Sequence, residues 1–254
     1  MTIPDRLDEL VAMSRRLGDP ALDYAILGEG NTSAAADGDT FWIKASGLCL
    51  RDIDADGFPR VQRKAVLALL NREQVGDDEL RAGLEAARTP DSVPLRPSVE
   101  TLFHAYLLSL EGVQFVGHTH PTPVNAILCS RDGEAAVRGR LFPDEIVCCG
   151  VAPAWVPYTD PGQPLARAIR QGVEGHIDRY GVVPRIILMQ NHGLIALGRS
   201  AQEVESATAM AAKAARILLG TAAFGGPNFL TEANVQRIYT RPDEKYRERG
   251  ILGR

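Results

Sequence analysis

Two short apolar runs in this chain end in histidine-bearing turns, and the second run resumes directly after its turn. Residues 113–117 stop at His118-Thr119-His120-Pro121, and residues 185–189 stop at Gln190-Asn191-His192-Gly193 before a further apolar run at 194–197. Runs of about four to eight apolar residues bounded by turn signals have strand length rather than helix length. The last two runs, joined by so tight a connection, resemble a hairpin. Three of the chain's five histidines therefore stand at the ends of expected strands.

Helical spacing supplies the rest of the frame. Leu7, Leu10, Val11, Ser14 and Leu17 share one face of an expected helix over residues 4–17, with Pro4 early and Gly18 as its stop. Residues 27–33 read as turn chemistry, 41–45 as a strand, 61–70 as a helix, and 88–97, with three prolines, as an extended connector. From Ser98 onward, Val99, Leu102, Phe103, Tyr106, Leu107 and Leu110 follow a helical period, and residues 146–149 read as a further strand. Ser200-Ala201-Gln202-Glu203 is a capping box for a long helix ending at Gly220, and a polar tail from about 231 is expected to be helical in part. The expectation is one domain over residues 1–254, because single α/β domains reach roughly 250 residues.

Composition excludes several classes. Lys and Arg number 28 against 32 Asp and Glu, a net charge of −4, which disfavours a nucleic-acid binder. No stretch approaches the roughly 18 uninterrupted apolar residues of a membrane helix, and the N-terminus becomes charged at once, so a cytoplasmic location is expected. The four cysteines, Cys49, Cys129, Cys148 and Cys149, form no CxxC pair and are assigned no chemistry. Gly28-Glu29-Gly30-Asn31-Thr32-Ser33 begins like a dinucleotide fingerprint, but Ser33 stands where the third glycine belongs.

His118 and His120, at i and i+2 of a strand, point to one face, where a third histidine could complete a metal-binding set with open positions for substrate. On spacing alone the same pair also fits two hydrogen-bonding surface histidines. Glu100 falls in the first turn of its expected helix, with Ser98 as N-cap, where helix-dipole stabilisation already accounts for a carboxylate. His104 reads as a packing contact outside the site.

Six segments in this order resemble the class II aldolase/adducin family, which includes fuculose-phosphate and rhamnulose-phosphate aldolases and ribulose-phosphate 4-epimerase. They are Gly30-Asn31-Thr32-Ser33, Ile43-Lys44-Ala45-Ser46-Gly47, Pro97-Ser98-Val99-Glu100 with His104, His118-Thr119-His120-Pro121, Pro157-Tyr158-Thr159-Asp160-Pro161-Gly162, and Asn191-His192-Gly193. The resemblance implies a three-layer α/β/α fold with a mainly antiparallel central sheet, assembled as a homotetramer. By the same likeness His118, His120 and His192 bind a divalent metal, zinc foremost, with manganese, cobalt or iron as alternatives. Glu100 becomes the catalytic acid–base residue, while Asn31, Ser46, Gly47 and Ser98 receive the anionic end of a small-molecule substrate. The activity implied is retro-aldol cleavage of a hydroxyketone or sugar phosphate, in which the metal neutralises an enediolate. A keto-acid decarboxylase, a 4-epimerase and a non-catalytic adducin-like scaffold are the alternatives.

Two features depart from the sugar-phosphate aldolases. Val99 replaces a second phosphate-site serine, and residues 121–157 hold no tyrosine to act as proton donor. Asp144, Tyr239 and Tyr246 are the candidates for that role.

Overall fold

A computed structural model describes residues 5–251. The chain runs α1 (Arg6–Leu17), β1 (Asn31–Ala35), β2 (Thr40–Ile43), β3 (Arg60–Gln62), α2 (Arg63–Asn71), α3 (Asp77–Ala86), α4 (Thr101–Leu107), β4 (Phe115–Thr119), α5 (Thr122–Leu128), α6 (Gly133–Ala136), α7 (Pro143–Cys149), β5 (Ala154–Val156), α8 (Gln163–Tyr180), β6 (Ile186–Met189), β7 (Gly193–Gly198), α9 (Ala201–Thr221), α10 (Glu232–Thr240) and α11 (Pro242–Ile251). Pro4, expected in the first helix, lies outside the described residues; Asp5 caps that helix by accepting the Leu7 N–H.

The seven strands form one sheet in the order β3-β2-β1-β4-β7-β6-β5, antiparallel throughout except for the parallel β5–β6 pair. Side chains alternate across it, as a period of two requires. Ile187, Met189, Ile195, Leu197 and Val116 face a core shared with α2, α4 and α8, whereas Ile186, Leu188, Leu194, Ala196 and Phe115 face one shared with α1, α5 and α9. The result is the three-layer α/β/α arrangement expected from the sequence. No helix among the described residues is long and apolar enough to cross a membrane.

Several local expectations need correction. Residues 31–33 belong to β1 rather than a turn, because all three pair with β4 and Ser33 also with Ile43 of β2; only 27–30 remain a loop. Residues 61–70 divide into β3 and α2. Residues 146–149 are helical, not a strand. Pro143 near the helix start, Asp144 and Glu145 in the first turn, and Gly150 at φ 78° after Cys149 are helix-boundary chemistry that outweighs an ambiguous run of four apolar residues. Buried Arg140 anchors this helix, pairing with Glu145 at 3.1 Å and donating to the carbonyls of Cys149 and Gly150. The sequence patterns predict no element at α3, α5, α6, α8 or β5. From Thr231, which caps α10 by accepting the Asn234 N–H, the tail folds back so that Val235 and Ile238 pack with Ile146, Val151 and Ala152.

Candidate metal centre

The site forms where the C-terminal end of β4 meets the β6–β7 turn and the start of α4. Asn31 on β1 lies opposite His118 on β4, and Ile195 on β7 opposes His118 from the other side. The three-residue turn 190–192 closes with Met189 paired to Gly193, and Asn191 takes the left-handed conformation at φ 53°, which asparagine tolerates. The side-chain amide of Asn125 donates to the His192 carbonyl at 3.0 Å and pins this turn. A Cβ on Gly193 would stand 2.5 Å from the His120 ring and 2.7 Å from the Thr119 carbonyl oxygen, so glycine leaves the space that the histidine rings fill.

His118, His120 and His192 converge, with one ligand nitrogen from each lying within 4.8 Å of the others. His118 is buried and donates Nδ1–H to the Leu194 carbonyl at 3.0 Å, so its Nε2 presents a lone pair to the centre. His120 Nε2 faces that atom at 3.1 Å. Burial pushes His118 well below the ordinary histidine range, reinforced by His120 and His192; burial likewise lowers His120 and His192. Neutral imidazoles with facing lone pairs are a donor set compatible with a divalent cation. Nitrogens on one zinc ion, with bonds of about 2.0–2.1 Å, stand no more than about 4.2 Å apart, so small side-chain rotations suffice.

Glu100 stands beside the triad, with Oε1 3.4 Å from His192 Nε2 and Oε2 3.8 Å from His118 Nε2. Its residue occupies the N-cap position of α4, a place expected for Ser98; Ser98 Oγ instead accepts the Glu100 N–H at 3.3 Å. Burial raises the Glu100 carboxyl above its ordinary range, opposed by a short hydrogen bond from Asn31 and by His120 and Lys44.

His104 corrects the reading of a plain packing contact. It stacks on Phe103, and it also bonds to Ser33 Oγ at 2.7 Å through Nδ1 and to the Asn31 carbonyl oxygen through Nε2. Because the Asn31 amide nitrogen donates to Glu100, its oxygen must accept, so His104 carries its proton on Nε2 and the Ser33 hydroxyl donates to Nδ1. Fully buried, His104 is pushed down to about 3 and stays neutral. The available signal was the spacing: Glu100 and His104, four apart on α4, share the face turned toward Asn31 and Ser33, two apart on β1.

Ser46 and Gly47 lie in an exposed turn, with Gly47 at φ 82°. An Ala45–Pro97 bridge joins this segment to the one carrying Ser98, and a Cβ on Gly28 would touch Gly47 at 3.8 Å. Among the described residues, neither Ser46 nor Gly47 hydrogen-bonds to the triad or Glu100. Sequence reading missed the buried Lys44, whose ammonium donates to the Leu48 carbonyl at 2.6 Å across this turn; burial lowers its pKa, opposed by Cys49 and Glu100. Val99, in place of the second serine, packs against the α2–α4–α8 core. Of the proton-donor candidates, Tyr239 packs with the Ile146 cluster and Tyr246 is 79% exposed.

This architecture defines a class of α/β proteins with a histidine centre at the end of an antiparallel sheet. Residues 8–219 match the family described as Class II Aldolase and Adducin N-terminal domain, and the chain belongs to it. Among solved structures, an L-fuculose 1-phosphate aldolase is 17% identical with a TM-score of 0.71, covering 97% of this chain and 98% of that one. YgbL, a putative aldolase/epimerase/decarboxylase from Escherichia coli, is 18% identical with a TM-score of 0.68, covering 92% and 97%. The uncharacterized oxidoreductase YuxG of Bacillus subtilis (strain 168) is 29% identical over 210 residues, which are 79% of this chain and 27% of that protein. The chain thus spans roughly a quarter of the length of the curated relative it matches.

Proposed function

We propose that the chain is a divalent-metal-dependent lyase that cleaves a small, anionic hydroxyketone, such as a sugar phosphate, by retro-aldol chemistry. The observation that carries this reading is the Glu100 carboxyl, held by Asn31 within 3.4 Å and 3.8 Å of two histidines of a converging triad. A divalent ion held by His118, His120 and His192, zinc foremost with manganese, cobalt or iron as alternatives, would supply Lewis-acid polarisation of the substrate oxygens.

The chain's own residues do the rest. In cleavage, the C4 hydroxyl passes its proton to a solvent water as the C3–C4 bond breaks. The bonding pair then moves toward the C2 carbonyl, leaving an aldehyde and an enediolate. Glu100, raised by burial, holds a proton closer to neutral pH than an ordinary carboxyl and delivers it to C3; in the synthetic direction it removes that proton. Asn31, locked by His104, keeps the carboxyl aimed at that carbon. The loops bearing Ser46, Gly47 and Ser98, closed over the Lys44 ammonium, receive the anionic end of the substrate. By its family membership the chain is expected to assemble as a homo-oligomer, a tetramer foremost, and to work in cytoplasmic carbohydrate metabolism.

The test is aldehyde release from phosphorylated and free hydroxyketones by zinc-reconstituted protein. Glu100→Gln is expected to lower kcat by about 10²–10⁴ while leaving metal content unchanged. Carbon dioxide from β-keto acids without aldehyde would replace the lyase by a decarboxylase, and epimerised substrate without either product would replace it by an epimerase.

A further inference from the structure

The Gly28-Glu29-Gly30 loop has a feature that neither the triad nor the proton transfer uses. Gly30 sits at φ 64°, and a Cβ there would stand 2.5 Å from the His118 carbonyl oxygen, so the loop lies directly on β4. Glu29 closes a turn with Ile26 in both directions. Its N–H donates to the Ile26 carbonyl at 3.0 Å, and its Oε2 accepts the Ile26 N–H at 3.0 Å. The carboxylate is thereby fixed by its own backbone, and its second oxygen, Oε1, stands 3.8 Å from His120 Nδ1. On the other side of that ring, Nε2 faces His118.

We propose that Glu29 is a positioning residue for the metal centre: its carboxylate accepts the outer Nδ1–H of His120 and holds the ring with Nε2 aimed at the other two histidines. The inference rests on the triad being a metal site. His118 already shows the arrangement, with Nδ1–H given to the Leu194 carbonyl and Nε2 left free. A histidine that ligates through Nε2 must carry its proton on Nδ1, and an outer carboxylate fixes that tautomer, orients the ring and makes it a stronger donor. At 3.8 Å the contact is longer than a hydrogen bond, so the proposed bond is one that forms as the His120 ring seats on the ion. Glu29 is partly exposed and its turn lies at the rim, so its side chain is not needed to fill a core.

The test uses the full chain stripped of metal, with zinc affinity measured by competition against a chromophoric chelator and the visible spectrum recorded after loading with cobalt(II). Glu29→Ala is expected to bind zinc about 10–100-fold more weakly and to alter the cobalt spectrum. Glu29→Gln, whose amide oxygen still accepts a hydrogen bond, is expected to recover part of the loss. The metal-free melting temperatures of both variants should match the parent. Zinc affinity in Glu29→Ala within about twofold of the parent, with an unchanged cobalt spectrum, would overturn the role of Glu29 and leave the metal site standing. Equal losses in both variants accompanied by lower metal-free melting temperatures would assign Glu29 to the fold of its turn and overturn the proposal. No binding by the parent would remove the metal site and this role with it.

Discussion

His104 and Asn31 are joined by a buried hydrogen bond that sets the direction of the Asn31 amide, and that amide holds Glu100 beside the triad. A helix and a strand far apart in sequence thus fix one carboxyl through a neutral imidazole. Orientation of Glu100 is built into the packing of α4 on β1 rather than left to a surface rotamer.

Replacing His104 by phenylalanine keeps the ring stacked near Phe103 but leaves the Asn31 carbonyl oxygen and the Ser33 hydroxyl buried without their partner. The expected cost is about 1–3 kcal/mol, read as a lower midpoint in urea unfolding, together with reduced turnover at unchanged metal content. Parent-like stability and turnover would refute the relay.

Gly193→Ala places a methyl group against the His120 ring and the Thr119 carbonyl. Strain of about 1–3 kcal/mol is expected, with zinc affinity lowered at least about tenfold because two of the three rings must shift. Thermal unfolding and zinc titration check it; parent-like values in both would show that the turn adapts freely.

Arg140→Met leaves Glu145 buried and unpaired and frees the carbonyls of Cys149 and Gly150. Breaking a buried pair from one side costs about 3–5 kcal/mol. Hydrogen exchange should show α7 and α10 losing protection first. Uniform protection equal to the parent would contradict the anchoring role.

His176, only 5% exposed on α8, is pushed down to about 4 by burial, with Arg140 adding repulsion. Its folded value lies below the unfolded value of 6.5, so the unfolded chain binds the proton first as pH falls. Its contribution to stability is therefore complete above pH 6.5 and lost progressively down to about 4. Denaturation curves between those limits should steepen this loss in the parent relative to His176→Gln; identical slopes would contradict it.

The reach of sequence reading was set by periodicity and range. The apolar runs of β4, β6 and β7, the capped helix α9 and the His118–His120 pair are all short-range patterns, and the structure reproduces them, whereas His192 joined that pair only through the family resemblance. Residues 146–149 misled because four apolar residues carry no distinguishable period; the helix signals lay just outside, at Pro143 and Gly150. Residues 31–33 look like a loop locally and become a strand only through pairing with β2 and β4. The roles of Lys44 and Glu29 were invisible for the same reason, since their partners come from the turn after β2 and the end of β4, and that of His104, whose partners lie on β1, was signalled only by its spacing from Glu100.

Metal content per chain tests the central claim most directly. Untagged protein purified without chelators, then reconstituted with zinc, is analysed by elemental mass spectrometry beside His118→Ala and His192→Ala, with circular dichroism confirming that each is folded. About one ion per chain in the parent, lost in both variants, is the predicted result. Stoichiometric metal retained in both variants, or none in the reconstituted parent, would contradict the account.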